Sequence, residues 1–515
     1  MSASEEEQEQ GGSNKLSGLL KHSAIYSAAP FLRQFISMGM TPLYNSWLQT
    51  ARGGIKETAD LWLIGLQQLL GQNALGSMMR FYYEQKSERD RNSVVTSCTI
   101  AVTLIAWVVC GSAMFFAPDL VRPLFGSGNE VGGDELVRVV QLVLLLIPFQ
   151  LSTMSGMYYL MTLKRSRTYT IIQTAKLLLE IGLNIWLIRY RGLGVQGFLT
   201  SMLCGEIVTS LGLTGWMLIT LKPRFDRRVF RPILVYAAPL IPVGICQLIL
   251  HQVDRRLIIE FLPEAISQSN AGIYGFGYKI GYLVTAMILG PFVQIFQPWI
   301  FNLKDPKERG RQVARVSTYA VLAIGAATLG VQLFGRQATI LLSGDETFIP
   351  AYRVVPLIAA GYVFWALYHV SQMPLFLAKR TGRLFGINLA AVVINISLNA
   401  FLIPRMGIMG AATATCVTFA ALACMGMLAS RSEADVPFET VRLVKVLALV
   451  LAGAGLALWL DDLEHADTLA LIPALAIKAC VLLVLLGSLW KMVLRSDERA
   501  ELTTWIASRH KHKSD

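Results

Sequence analysis

Charge is what this sequence has least of. Only 16% of its 515 residues are Asp, Glu, Lys or Arg, against roughly 25% in soluble chains, which excludes a water-soluble enzyme of several domains. Chemical motifs are also missing. The chain has no P-loop, no nucleotide-binding fingerprint and no nucleophile elbow, so direct ATP hydrolysis and nucleophilic catalysis find no support. Its seven cysteines show no CxxC or CxxxC spacing, which argues against a disulfide framework or a metal site; they read as small buried apolar residues. The start, MSASEEEQEQGGSN, lacks the basic region and cleavage site of a signal peptide and reads as a cytoplasmic tail over residues 1–15. Long loops are absent as well. The longest, around residues 118–136, is too small to hold a catalytic module.

Apolar residues fill the space that charge leaves, at 54% of the chain. Apolar runs lie at approximately 23–45, 59–81, 94–117, 137–162, 170–189, 193–219 and 232–253. Seven more lie at approximately 272–300, 313–335, 351–378, 384–404, 408–429, 441–460 and 470–494. A bilayer-spanning helix needs about 20 such residues. The expected class is therefore an all-α polytopic membrane protein of about fourteen spans. The net charge of +12 falls in short clusters between these runs, the signature of loops that resist translocation and not of a nucleic-acid surface. Of the 46 Lys and Arg, 31 fall on the side of the N-terminus and 11 opposite, which predicts that both termini are cytoplasmic.

The chain also repeats itself. Ala28-Ala29-Pro30 recurs as Ala237-Ala238-Pro239, and Leu183-Asn184 followed by Gly194-Val195-Gln196-Gly197 recurs as Leu398-Asn399 followed by Gly407-Ile408-Met409-Gly410. Six spans separate the matched elements, so both halves cross the membrane in the same sense, as in transporters built from parallel repeats. The expected division is a lobe over 16–221, a second over 222–431, an extra pair of spans over 432–495 and a tail over 496–515. The extra pair is joined by an acidic outer loop holding Asp461, Asp462, Glu464 and Asp467.

Ionisable groups inside spans cost several kcal/mol each, so every one needs a partner, a watery cavity or a task. Arg33 lies near the centre of the first span; it either binds carbonyls freed near Pro30 and Pro42 or faces a cavity. Lys279 either snorkels from the eighth span or faces the same space. Asp254 and Arg255 end the seventh span, where an ion pair at a helix end is the plain reading, and Arg80 closes the second span with a positive-inside role. Lys176 and Glu180, four apart, can pair along one helix face. Glu206 has no partner in its own span and is a candidate proton or cation site; His251 and His369 are weaker candidates for the same role.

Three segments carry a family resemblance: KHSAIYSAAPFLRQFISMGMTPLY near the start, YAAPLIPVGICQLILHQVDRRLI followed by AGIYGFGYKIG and FQPWIF, and LNAFLIPRMGIMGAATAT at 398–415. In order and spacing the chain resembles the polysaccharide transporter family of Wzx-like flippases. These belong to the superfamily of MATE drug transporters and lipid II flippases, the MOP superfamily. The resemblance implies two six-helix lobes around a cavity that opens alternately to each side of the cell's inner membrane. It implies a polyprenyl-diphosphate-linked oligosaccharide as substrate, flipped to the outer leaflet for exopolysaccharide or O-antigen-type synthesis, and no cofactor. Arg33 and Lys279 best fit the basic cavity lining that it implies, with Arg255 and Arg80 as further cations; Glu206, Asp254 and Glu180 are the ion-coupling candidates, for a proton or Na+. Membrane lipid, met by the extra pair of spans, and a polysaccharide polymerase or export machinery complete the expected partners. The chain departs from the drug-transporter pattern in having no clear acidic residue in the first span. A MATE-like antiporter of drugs or metabolites is the nearest rival; a membrane-bound glycan polymerase and a non-transporting scaffold are more distant.

Overall fold

A computed structural model describes residues 36, 55–56, 58–125, 133–222, 224–303, 305–343, 346–434, 436–465 and 471–500. Among these residues the secondary structure is helical throughout, with no strand. Eleven helices among the described residues are long and apolar enough to cross a membrane, or up to twelve if the pair Glu346–Arg353 and Val355–Leu377, bent by 51°, forms one span. The first of the fourteen expected spans, with Arg33, lies outside the described residues. The protein is an all-α polytopic membrane protein, as its composition requires. The chain divides into two compact units: Met1–Leu248 with Gly290–Lys304, and Ile249–Leu289 with Asp305–Asp515.

The first unit contains α1 (Asn73–Glu84), α2 (Glu88–Phe115), α3 (Ala117–Phe125), α4 (Gly133–Thr162), α5 (Ser166–Asn184), α6 (Gly194–Leu221) and α7 (Arg227–Ala237), and the start of α8 (Leu240–Phe261). Before α1 the helix widens into a π turn at Gln68–Gln72, where Gly71 takes φ 151°. A Cβ at Gly71 would lie 2.4 Å from a methyl of Val102, so only glycine permits both this backbone and the approach of α2. Small residues set the closeness of α4 and its neighbours: Ser155 bonds Thr99 of α2, Ser152 bonds Thr214 of α6 at 2.8 Å, and a Cβ on Gly156 would meet Leu213 at 2.8 Å. In lipid, where tails are as apolar as leucine, such close packing and interhelical hydrogen bonds are what hold helices together.

The second unit contains the end of α8, most of α9 (Glu264–Asn302), then α10 (Pro306–Leu333), α11 (Gly335–Ser343), α12 (Val355–Ser371), α13 (Met373–Leu377), α14 (Thr381–Met406) and α15 (Ile408–Ala434). It ends with α16 (Thr440–His465) and α17 (Leu471–Met492). Asp305 caps α10 by accepting from the backbone N–H groups of Lys307 and Glu308. Glycines again bring helices together: a Cβ on Gly453 of α16 would lie 2.4 Å from Leu329 of α10.

A turn recurs between the halves. After α4, Lys164 takes φ 57° while the Arg165 N–H donates to the Leu160 carbonyl; after α13, Lys379 takes φ 59° while the Arg380 N–H donates to Leu375. Both are left-handed helix stops that satisfy otherwise orphaned carbonyls, and they lie 215 residues apart. Two cysteines differ from expectation. Cys424 and Cys480 are exposed, on outer helix faces where a small apolar side chain suits lipid as well as a core.

Candidate functional site

Burying a carboxylate among apolar helices is costly, so the groups around it show what it does. Asp254 is 1% exposed. It lies inside α8, seven residues before Phe261, and not at a helix end as the apolar run implied. Its carboxylate accepts from Tyr274 of α9 at 2.7 Å, from Asn399 of α14 at 2.8 Å and from Thr415 of α15. Four helices thus converge on one acid, and all three donors are neutral. One turn from Asn399, Asn395 is fully buried and accepts from the Asn399 amide at 3.1 Å; Asn399 Oδ1 is buried without a hydrogen-bond donor. One turn before Asp254, His251 Nδ1 lies 2.7 Å from the Tyr278 hydroxyl and 3.1 Å from that of Tyr362, against the rings of Trp365 and Phe419. The site is an acid in a cage of hydroxyls and amides, walled by aromatics.

The first unit buries charge differently. Lys176 of α5 donates to Glu206 of α6 and lies 3.6 Å from Glu180, one turn along its own helix. All three are nearly excluded from solvent, and Glu206 Oε2 has no hydrogen-bond partner. Gly205 makes the room: a Cβ there would meet the Glu180 side chain at 2.9 Å. One turn beyond Glu180, Asn184 accepts from Ser201 at 2.6 Å. Two carboxylates thus share the Lys176 ammonium, and the Glu206 carboxylate keeps one oxygen without a donor.

A third cluster was not anticipated. Lys478, fully buried in the last apolar span, donates to Asp461 and Glu464 at 2.7 Å each. Arg336 of α11 lies 3.2 Å from Glu464. Asp461 and Glu464, expected in an outer loop, instead form the buried end of α16. Two cations face two anions here, so nothing further is needed.

The remaining expected residues are dispersed. Arg80 is buried, paired with Glu84 at 3.1 Å and stacked over Tyr236, its guanidinium 5.0 Å from the ring centroid. Arg255 lies against Gly275 of α9, where a Cβ would come within 3.0 Å of its Nε. Lys279 is exposed on α9, next to the buried Tyr278. His369 lies beside Trp365 and Gln372. Among the described residues no three His, Cys, Asp or Glu side chains gather to hold a metal ion.

The chain matches the family described as polysaccharide biosynthesis protein over residues 82–332. It is 23% identical over 268 residues to the probable low-salt glycan biosynthesis flippase Agl15 of Haloferax volcanii, covering 51% of this chain and 55% of that one. The chain thus aligns with about half the length of that relative. An outward-facing multidrug resistance MATE family transporter of the MOP superfamily superposes with TM-score 0.66 at 14% identity, over 81% of this chain and 96% of the other. A MOP superfamily transporter from Pyrococcus furiosus, noted for the reversed polarity of its binding pocket, gives 0.63 at 15% identity, over 80% and 95%. The chain shares the fold of these transporters, and over residues 82–332 its sequence is similar to the polysaccharide biosynthesis protein family.

Proposed function

We propose that the protein is a cation-coupled flippase. It carries polyprenyl-diphosphate-linked oligosaccharide from the cytoplasmic to the outer leaflet by alternating access between two six-helix lobes. The observation that carries the coupling is Asp254, an acid buried among apolar helices whose hydrogen-bond donors are all neutral. Such a group is stable only when protonated or when it holds a cation. The Thr415 hydroxyl and the free Asn399 Oδ1 offer further oxygens to a small monovalent ion. Loading and unloading this acid changes the local charge by one unit, a free-energy lever that a gradient can pull. Glu206 and Glu180 form a second candidate, with Glu206 Oε2 buried and without a hydrogen-bond partner.

The substrate rests on kinship with glycan flippases. A charged headgroup needs a polar path through hydrocarbon while its lipid tail stays in the bilayer. Fixed cations in low dielectric attract diphosphate, arginine in bidentate fashion; Arg33, Arg255, Arg80 and Lys279 are assigned to this task.

The test is accumulation of lipid-linked oligosaccharide on the cytoplasmic leaflet in cells with matched membrane levels of each variant. Asp254→Asn should slow export at least about tenfold, equivalent to roughly 1.4 kcal/mol, and remove its response to Na+ or pH. Normal export with the ion response intact would overturn the coupling role. Drug sensitivity without trapped lipid-linked sugar would shift the function to the multidrug antiport that the shared fold also supports.

A further inference from the structure

The first unit contains an apolar groove of about 420 Å³ between α5 and α6, within the roughly 300–1,000 Å³ range of ligand sites. Ile171 and Ala175 line one wall, Val208, Gly212 and Trp216 the other, and Lys176 with Thr209 the floor. Ile171 and Val208 are 68% and 62% exposed, so the groove opens on the face that an apolar helix presents to lipid. Ala175 and Gly212 are small residues of the kind that let helices close on each other, yet the space between them stays open. A Cβ placed on Gly212 would meet nothing within 4 Å.

One end of the groove is charged. Arg165 lines it at the turn just before α5, where the span begins, with its guanidinium 5.8 Å from the Trp216 ring centroid. Lys164 and Arg167 flank it, both exposed. Hydrocarbon walls ending in a basic cluster at the level of the headgroups complement an anionic lipid, its chain in the groove and its phosphate at the arginine. We propose that this groove is a binding site for one acyl chain of an anionic phospholipid, with Arg165 holding the headgroup. The site does not depend on the coupling role proposed for Asp254. Its floor is the Lys176 side chain, so the bound chain also keeps water from the buried Lys176–Glu180–Glu206 triad.

Trp216 reports occupancy directly. The full-length protein is reconstituted in nanodiscs carrying brominated-chain phosphatidylglycerol or brominated-chain phosphatidylcholine, and the Trp216 contribution to quenching is taken as the difference from Trp216→Phe. Anionic lipid should quench this contribution at least twofold more than zwitterionic lipid at equal bromine content. Arg165→Gln should abolish the preference. Gly212→Leu should reduce quenching by both lipids by filling the groove, and Ala175→Leu on the opposite wall should do the same if the glycine variant fails to fold. Equal quenching by the two headgroups, or quenching unchanged in the filled variants, would overturn the proposal. Displacement of the bromolipid by equimolar polyprenyl phosphate would overturn it too, giving the groove to the tail of the substrate.

Discussion

The two units bury polar groups at matching places and balance them in opposite ways. Glu180 and Asn184 of α5 lie 215 residues before Asn395 and Asn399 of α14. In the first unit this register contributes a carboxylate, and the ammonium of Lys176 crosses to Glu206. In the second, Ala391 replaces the lysine, both positions are amides, and the charge enters from Asp254 on α8. One site is a salt-bridged triad and the other an acid held by neutral donors. The Lys478 cluster is the contrast, because two cations and two anions leave it neutral. The contrast predicts that net charge separates groups that take up a mobile proton or ion from groups that fasten helices.

Breaking the neutral cluster should have the largest effect. Lys478→Met leaves Asp461 and Glu464 buried with one cation fewer, and should destabilise the protein by about 3–5 kcal/mol. Thermal unfolding in detergent measures this. Adding Asp461→Asn to Lys478→Met should recover most of the loss, since Arg336 and Glu464 then remain as a balanced pair.

The triad sharpens the comparison. Glu206→Gln leaves Lys176 and Glu180 as a balanced pair and should cost no more than about 1 kcal/mol, whereas Lys176→Met strands two acids and should cost about 3 kcal/mol. If Glu206 is the coupling acid, Glu206→Gln also flattens the pH dependence of export. Equal stability loss in the two variants would show that net charge does not rank these sites.

The smallest effect lies beyond the membrane, at Glu498. Burial alone would raise its carboxyl, but hydrogen bonds from Tyr319, the Arg495 N–H and Arg442 hold it below its ordinary value. A depressed acid stabilises the fold above its unfolded pKa, near 4.5, and the benefit is lost as pH falls through the lower folded value. Glu498→Gln should therefore cost under about 1 kcal/mol at pH 7. The difference from the parent protein should shrink on acidification below pH 4.5. A constant difference across that range would assign the effect to packing.

The bilayer made much of the fold readable. Its thickness demands apolar runs of fixed length, so the helices emerge from hydropathy and the left-handed Lys-Arg turns fall between runs. Glu206 could be singled out because a lone carboxylate in an apolar run is conspicuous. Its partner could not, because Lys176 already had a neighbour four residues on and the closer acid lies on another helix. The cage of Asp254 comes from helices 20 to 161 residues away, whose uncharged side chains carry no hydropathy signal. Lys478 was the clearest missed signal: a lysine inside an apolar run, preceded by the acids that pair with it.

The helices α16 and α17 are fastened at both ends. Lys478 binds Asp461 and Glu464 at one end; at the other, Arg442 binds Glu498 and donates to the Val493 carbonyl at 2.8 Å, while Tyr319 of α10 donates to Glu498 at 2.6 Å. Mechanically this is a beam pinned twice and not a cantilever. Pinned so, the pair is expected to bow between its supports and not swing from one of them, with α10 tied to one support through Tyr319. A reporter fixed just beyond Met492 would record the displacement of α10.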